Sequence, residues 1–120
     1  MGDYKDLLVY QKAYSLAIDI YKLSKRFPAE ERYSLTDQIR RSSRSVCANF
    51  IEAYRRRRYK DYFISKLNDC ESENGETQVW LDFSKDCAHI TLEEHNDFCK
   101  RNDEVGKLLW YMINNPDRFR

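Results

Sequence analysis

Glu52, Glu71, Glu73 and Glu76 are the residues with which this chain could bind a pair of metal ions. Ferritin-like di-metal bundles use carboxylates projecting inward from four helices, with a histidine three residues after a glutamate on two of them. Neither His89 nor His95 follows a glutamate at that distance. Cys87-x-His89 and His95-x-x-x-Cys99 could together gather one zinc ion, but the close Cys-x-x-Cys pairing typical of such sites is absent. Nucleophilic catalysis needs a nucleophile, a base and an orienting group in one place. The serines here lie in helical patterns without a sharp exposed elbow, and no glycine-rich phosphate loop occurs. The residues therefore assign no catalytic group, no metal and no cofactor, and the chain reads as a non-enzyme.

Arg55, Arg56, Arg57 and Arg58, followed by Tyr59 and Lys60, form the strongest chemical feature that remains. Guanidinium groups bind phosphates in a bidentate fork and tyrosines stack on bases, so the run suits RNA or DNA. It suits equally the acidic side chains of a neighbouring helix or of a second subunit. Formal net charge is only +1, but residues 35–60 hold eight basic and two acidic side chains, whereas residues 61–104 hold four basic and twelve acidic ones. That separation favours pairing between helices or subunits over a uniformly basic nucleic-acid binder.

Helices must position these groups. With three glycines and two prolines in 120 residues, the chain has little turn chemistry for a many-stranded sheet. Val9, Ala13, Leu16, Ala17, Ile20, Leu23 and Phe27 recur at steps of three and four and predict a first helix over 7–26, ended by Pro28. A second helix is expected from Ser34, with Ser34-x-x-Asp37 as its capping box, through the arginines to Arg58. Its inner face is Leu35, Ile39, Ser42, Ser43, Val46, Phe50 and Ala53. A third helix starts between Arg57 and Asp61 and runs to about Asp86 on Phe63, Leu67, Cys70, Asn74, Thr77, Leu81 and Ser84. Gly75 in its middle is read as the mark of a tight helix crossing. Thr91-x-x-Glu94 caps a fourth helix with Leu92, Phe98, Val105, Leu109, Met112 and Ile113 on its apolar side, stopped at Asn114-Asn115-Pro116.

Short connections make neighbouring helices antiparallel, so the expected fold is all-α, an up-down-up-down four-helix bundle forming a single domain over 1–120. No run approaches eighteen apolar residues, so no membrane span is expected. No targeting leader is recognised, and the four scattered cysteines read as reduced thiols, which places the protein in the cytoplasm.

Small and polar residues on the inner stripes imply a buried polar layer, which must be closed by hydrogen bonds and ion pairs. Pairing the second and third helices sets Ser42 and Ser43 opposite Asn74 and Gly75, and Asn49 near Asn68. Arg40, Arg41 and Arg44 then face Glu71, Glu73 and Glu76. The network expected from this is Arg40, Arg41, Ser42, Asn49, Glu52, Glu73 and Glu76, with a structural rather than a ligand-binding role. Trp80, Trp110 and nine tyrosines exceed what a small bundle hides, and exposed aromatics at this density point to protein contacts, self-association being the simplest.

Several segments carry a family pattern: Tyr4-x-Asp6-Leu7-x-Val9-x-Gln11-Lys12-Ala13, Phe27-Pro28-x-x-Glu31-x-Tyr33-x-Leu35-Thr36-x-Gln38-Ile39-Arg40-Arg41-Ser42, Ser45-Val46-x-x-Asn49-x-x-Glu52 and Glu76-Thr77-Gln78-x-Trp80-Leu81. The chain resembles the four-helix bundle family of ribosomal-RNA intervening-sequence proteins, related to the accessory variability determinant of diversity-generating retroelements. The resemblance implies a homopentameric, barrel-like ring of bundles and, in the accessory protein, binding to a reverse transcriptase and nucleic acid. The expected function is a non-enzymatic homo-oligomeric scaffold or interaction protein. The alternative is an RNA- or DNA-binding accessory module acting with a partner protein such as a reverse transcriptase, or with ribosomal RNA.

Overall fold

Apolar residues at steps of three and four each need a facing surface, and four such stripes meet in one core. The computed structural model describes residues 3–120. Its helices are α1 (Leu8–Ser24), α2 (Leu35–Arg55), α3 (Lys60–Asp86) and α4 (Leu92–Asn114), with 3-10 turns at Tyr4–Asp6, Ala29–Glu31 and Pro116–Arg118. No strand occurs among the described residues. The inward stripes of α1, α2 and α3 are those expected: every residue named for them is buried, with Ile20, Ile39, Ala53, Phe63, Leu67 and Leu81 fully so.

Cross-helix partners rise in number along one helix as they fall along the next, so each neighbouring pair runs antiparallel. Arg41 meets Glu73, Ser42 meets Thr77 and the Cys70 thiol meets the Val46 carbonyl between α2 and α3. Asn74 meets Asn102 and Gln78 meets Cys99 between α3 and α4. The α1–α4 seam is thinner than the α2–α3 one. It carries ion pairs of Lys12 with Glu104 at 2.8 Å, Arg101 with Asp19 at 2.9 Å, and Arg26 with Glu94.

Helix ends depart from expectation where long-range contacts outbid local ones. Helix α1 stops at Ser24, and bonds from Arg26 to Leu23 and from Phe27 to Ser24 tighten its exit before Pro28. Ser34 makes no capping box: its hydroxyl donates to Glu31 Oε1 at 2.8 Å, and Asp37 takes no part. Helix α2 ends at Arg55 rather than Arg58. The amides of Arg56 and Arg57 bond back three residues to Ala53 and Tyr54, and Tyr59 bonds to Arg56, which closes the tight turn that brings Phe63 inward. The expected box at Thr91 and Glu94 is present in both directions. Leu92, however, is 64 % exposed, and Ile90 fills the core beside Phe98 in its place.

Helix α3 closes with amide bonds from Ala88 to the Lys85 carbonyl and from His89 to the Ser84 carbonyl. This motif normally puts glycine at the left-handed position, held here by Ala88 with φ 63°.

The glycine at a close helix contact is Gly106, not Gly75. A methyl group at Gly75 would meet nothing within 4 Å, whereas one at Gly106 would lie 2.8 Å from Asn74 Oδ1. Asn74 has little room to retreat, because its amide donates to both the carbonyl and the side chain of Asn102, and Asn102 donates back to the Asn74 carbonyl, all at 3.0 Å. Gly75→Ala should therefore stabilise the fold by about 0.5–1 kcal/mol through helix propensity. Gly106→Ala should destabilise it by about 1–3 kcal/mol through overpacking. Denaturant unfolding of both variants checks the pair, and equal effects would contradict this assignment.

Candidate functional site

Arg41 is the hub of the polar layer between α2 and α3. Its guanidinium binds Glu73 at 3.0 Å and also Glu76, and its Nε donates to Gln38. Beneath it, the Ser42 hydroxyl meets the Thr77 hydroxyl at 2.8 Å in full burial. Trp80 lies at the edge of the core and donates its indole N–H to Glu76 at 3.2 Å. Arg41, Ser42, Glu73 and Glu76 are thus brought together.

The other residues of that set are not. Arg40 turns to α1, where its Nε donates to Ser24 at 2.7 Å and its guanidinium lies over the Tyr21 ring, with Arg44 over the same ring. Asn49 and Asn68 each bond back to a carbonyl of their own helix, Ser45 and Ile64, and do not meet. Glu52 pairs with Lys66 at 2.8 Å, and Glu71 is exposed outside the layer. The carboxylates proposed for two metals are therefore split between Arg41 and Lys66, with Glu71 apart. Asn102, the partner of Asn74, lies outside the expected network. Its spacing, four after Phe98 and three before Val105, carried the signal of an inward residue.

The arginine run sits on the tight turn between α2 and α3. Arg55, Arg56, Arg58, Tyr59 and Lys60 are exposed, and Arg57 is half-buried. Arg57 lies over the Tyr54 ring at 4.0 Å and donates to the Tyr54 carbonyl; Arg58 lies over the Tyr59 ring at 4.9 Å. No carboxylate is within ion-pair distance of Arg55, Arg56 or Arg58 among the described residues. The expected pairing with acids of α3 within one chain is absent for these three. The negative end of the α2 dipole adds at most about 0.3–1 kcal/mol to a cation at this end.

The final residues add to this end. Arg120 donates to the carbonyls of Arg57 and Arg58 at 2.7 and 3.0 Å, and Asp117 bridges Arg120 and Lys60. Arg118, Phe119 and Arg120 join Leu7, Tyr54, Arg55, Arg57 and Arg58 around an open groove of about 650 Å³. The basic character of Arg118-Phe119-Arg120 is visible in the sequence, but its convergence with the arginine run depends on the length of α4.

The cysteines divide by environment. Burial pushes the Cys47 thiol up to about 11 and the Cys70 thiol up to about 12, as befits inert packing groups. Cys87 is exposed and Cys99 half-buried. The four residues considered for one zinc ion separate into two groups, each joined by a carboxylate: Glu31 with Cys87 and His89, and Asp82 with His95 and Cys99.

The fold and this surface define a class, a small all-helical bundle with a salt-bridged polar layer and an arginine-rich turn at one end. The family model of the 23S rRNA-intervening sequence protein matches residues 5–111, and the chain belongs to that family. A crystal structure of a protein of unknown function of the S23 ribosomal protein family, from Bacteroides thetaiotaomicron VPI-5482, is similar to it with a TM-score of 0.80 and 32% identity, over 88% of this chain and 98% of that one. No curated protein matches it. No helix among the described residues is long and apolar enough to cross a membrane.

Glu76 offers a test of the polar layer. Partial burial alone would raise its carboxyl, but hydrogen bonds from Arg41 and Trp80 and the Arg41 charge outweigh it and hold the group below its ordinary 4.5. A carboxyl depressed in the folded state stabilises the fold fully above the ordinary value and loses that contribution as pH falls through the folded value. Arg41→Leu should cost about 1 kcal/mol near neutral pH, as expected for a partly exposed ion-pair network. The gap to wild type should narrow as pH falls below the ordinary 4.5. Urea unfolding across that range checks it, and a gap independent of pH would contradict the ion-pair account.

Proposed function

We propose that this chain is a non-enzymatic scaffold that assembles with copies of itself, the arginine turn of one copy meeting carboxylates of the next. The observation that carries this reading is the uncompensated charge of Arg55, Arg56 and Arg58 beside exposed acids elsewhere on the same surface. Glu71, Glu93 and Asp97 are exposed, with no cation within ion-pair distance among the described residues. Unlike patches on one molecule favour heterologous contacts, which close into rings when the rotation permits. The family resemblance supplies the number five.

Apolar surface supports the same reading. Tyr10, Tyr14, Ile18 and Tyr21 rim a mostly apolar groove of about 480 Å³ floored by Ala17, Cys47 and Ala48. Tyr14 is 53 % exposed and Trp110 60 % exposed. Large aromatic side chains left in water at this density are what oligomer interfaces bury. Arg55→Glu combined with Arg58→Glu should weaken assembly by about tenfold or more, since like charges would then face each other. Light scattering against concentration, with helicity as the folding control, measures it. Unchanged assembly would remove the arginine turn from the interface.

A second reading, RNA or DNA bound at the arginine end, is favoured by one specific observation. Arg118 and Arg120 widen a cationic groove whose Arg58 lies over the exposed ring of Tyr59, and cations beside aromatic rings are the combination that single-stranded nucleic acids use. Single-stranded RNA should then bind at low salt and weaken linearly in log–log terms as salt rises. No binding at low salt would remove this reading and leave the scaffold standing alone.

A further inference from the structure

We propose that Asp82, His95 and Cys99 bind one divalent transition-metal ion of the zinc class at the seam between α3 and α4. The three residues come from opposed helices. His95 and Cys99 stand four apart on α4 and so share one face, and Asp82 reaches them from the last turns of α3. His95 Nε2 lies 2.8 Å from Asp82 Oδ1 and 3.3 Å from Cys99 Sγ. A tetrahedral zinc shell with ordinary Zn–N, Zn–O and Zn–S bonds sets such ligand atoms about 3.4–3.6 Å apart. All three ligand atoms lie within 4.8 Å of one another; on this measure the His95–Cys99 edge would open by about 0.2 Å and the His95–Asp82 edge by about 0.6 Å.

Proton bookkeeping points the same way. A single imidazole nitrogen faces both a carboxylate oxygen and a thiol. If it carries the proton it can donate to Asp82, and the Cys99 thiol has no lone pair there to bond. If it does not, it can accept from Cys99, and two lone pairs face each other at the Asp82 contact. One hydrogen cannot satisfy both contacts of the neutral pair, whereas one cation accepts all three lone pairs at once. On binding, the Cys99 thiol proton leaves to solvent and the imidazole proton resides on Nδ1. Imidazole, thiolate and carboxylate together match zinc and its neighbours in the first transition row better than magnesium or calcium.

Gln78 supplies the support such ligands ordinarily have. Its amide nitrogen donates to Asp82 Oδ1 at 3.0 Å and to Cys99 Sγ at 3.1 Å, orienting both toward His95. The histidine is packed in, with 14% of its side chain exposed, while Asp82 at 53% leaves the fourth position open to water. With three protein ligands and one open position, the ion would staple the start of α4 to the end of α3 and could accept a further ligand from outside.

The test titrates the reduced full-length chain with cobalt(II), which reports thiolate ligation by a charge-transfer band and tetrahedral geometry by its visible absorption. Wild type and Cys87→Ser should both take up one cobalt per chain with the thiolate band. Cys99→Ser should lose the band. His95→Gln should weaken binding by about tenfold or more, and Gln78→Ala, which removes only the supporting hydrogen bonds, by about tenfold. Helicity of each variant, measured in parallel, confirms that the bundle stands. A folded wild type without the thiolate band would overturn the proposal. So would a band that survives Cys99→Ser and disappears in Cys87→Ser, which would place the metal at Glu31, Cys87 and His89.

Discussion

The reciprocal amide pair of Asn74 and Asn102 sets the register on which the second half of the molecule depends. Each side chain satisfies the backbone carbonyl of the other within a nearly dry seam. Sliding α4 by one residue would break these bonds and leave buried polar groups unpaired, at a cost of about 1–3 kcal/mol for each. Apolar packing alone imposes no such penalty, because neighbouring leucine and valine stripes tolerate several alignments. The same register forces glycine at position 106, against which the Asn74 carboxamide rests. It also places Gln78 against Cys99 and Asp82 against His95. On the other side of α3, the Ser42–Thr77 contact and the Arg41 fork do the equivalent for α2. Helix α3 is thus tied to both neighbours by directional bonds, whereas α1 is held chiefly by its apolar stripe and by ion pairs near the surface.

This arrangement decides where charge is consumed and where it is left over. In the middle of the bundle, Glu73 and Glu76 of α3 are neutralised by Arg41, and Glu52 of α2 by Lys66. At the α2–α3 turn no carboxylate lies within ion-pair distance of Arg55, Arg56 or Arg58 among the described residues, and chain geometry adds Arg118 and Arg120 to the same end. Surface guanidiniums without a carboxylate partner, such as those of Arg55, Arg56 and Arg58, contribute little to the stability of one copy and are available to another molecule. The near-zero net charge of the whole chain therefore conceals a strongly polarised surface.

Much of the fold was legible because burial demands a period. The stripes of α1 and α3 could be written down from residue types, including the polar members Asn74, Thr77 and Ser84, since a polar residue between apolar ones at the right step must also face inward. The ends of helices were less legible. Ser34 has the right spacing for a cap, but Glu31 from the preceding turn offers its hydroxyl a better acceptor. The arginines after Arg55 have good helix propensity, and only the need to return Phe63 to the core ends the helix there. Gly75 and Gly106 look alike in sequence; which of them faces a neighbour depends on a register that the stripes leave open. In the same way, the pairing of Asp82 with His95 and Cys99 follows from that register, not from any local spacing.

One copy of this chain carries unlike charged patches that it does not pair itself, and we propose that other copies complete them. Native mass spectrometry of the unmodified chain at micromolar concentration and modest salt tests it directly. One dominant species is expected at a multiple of 14.5 kDa, five copies by family resemblance. A spectrum containing only the single-chain mass under those conditions would contradict it.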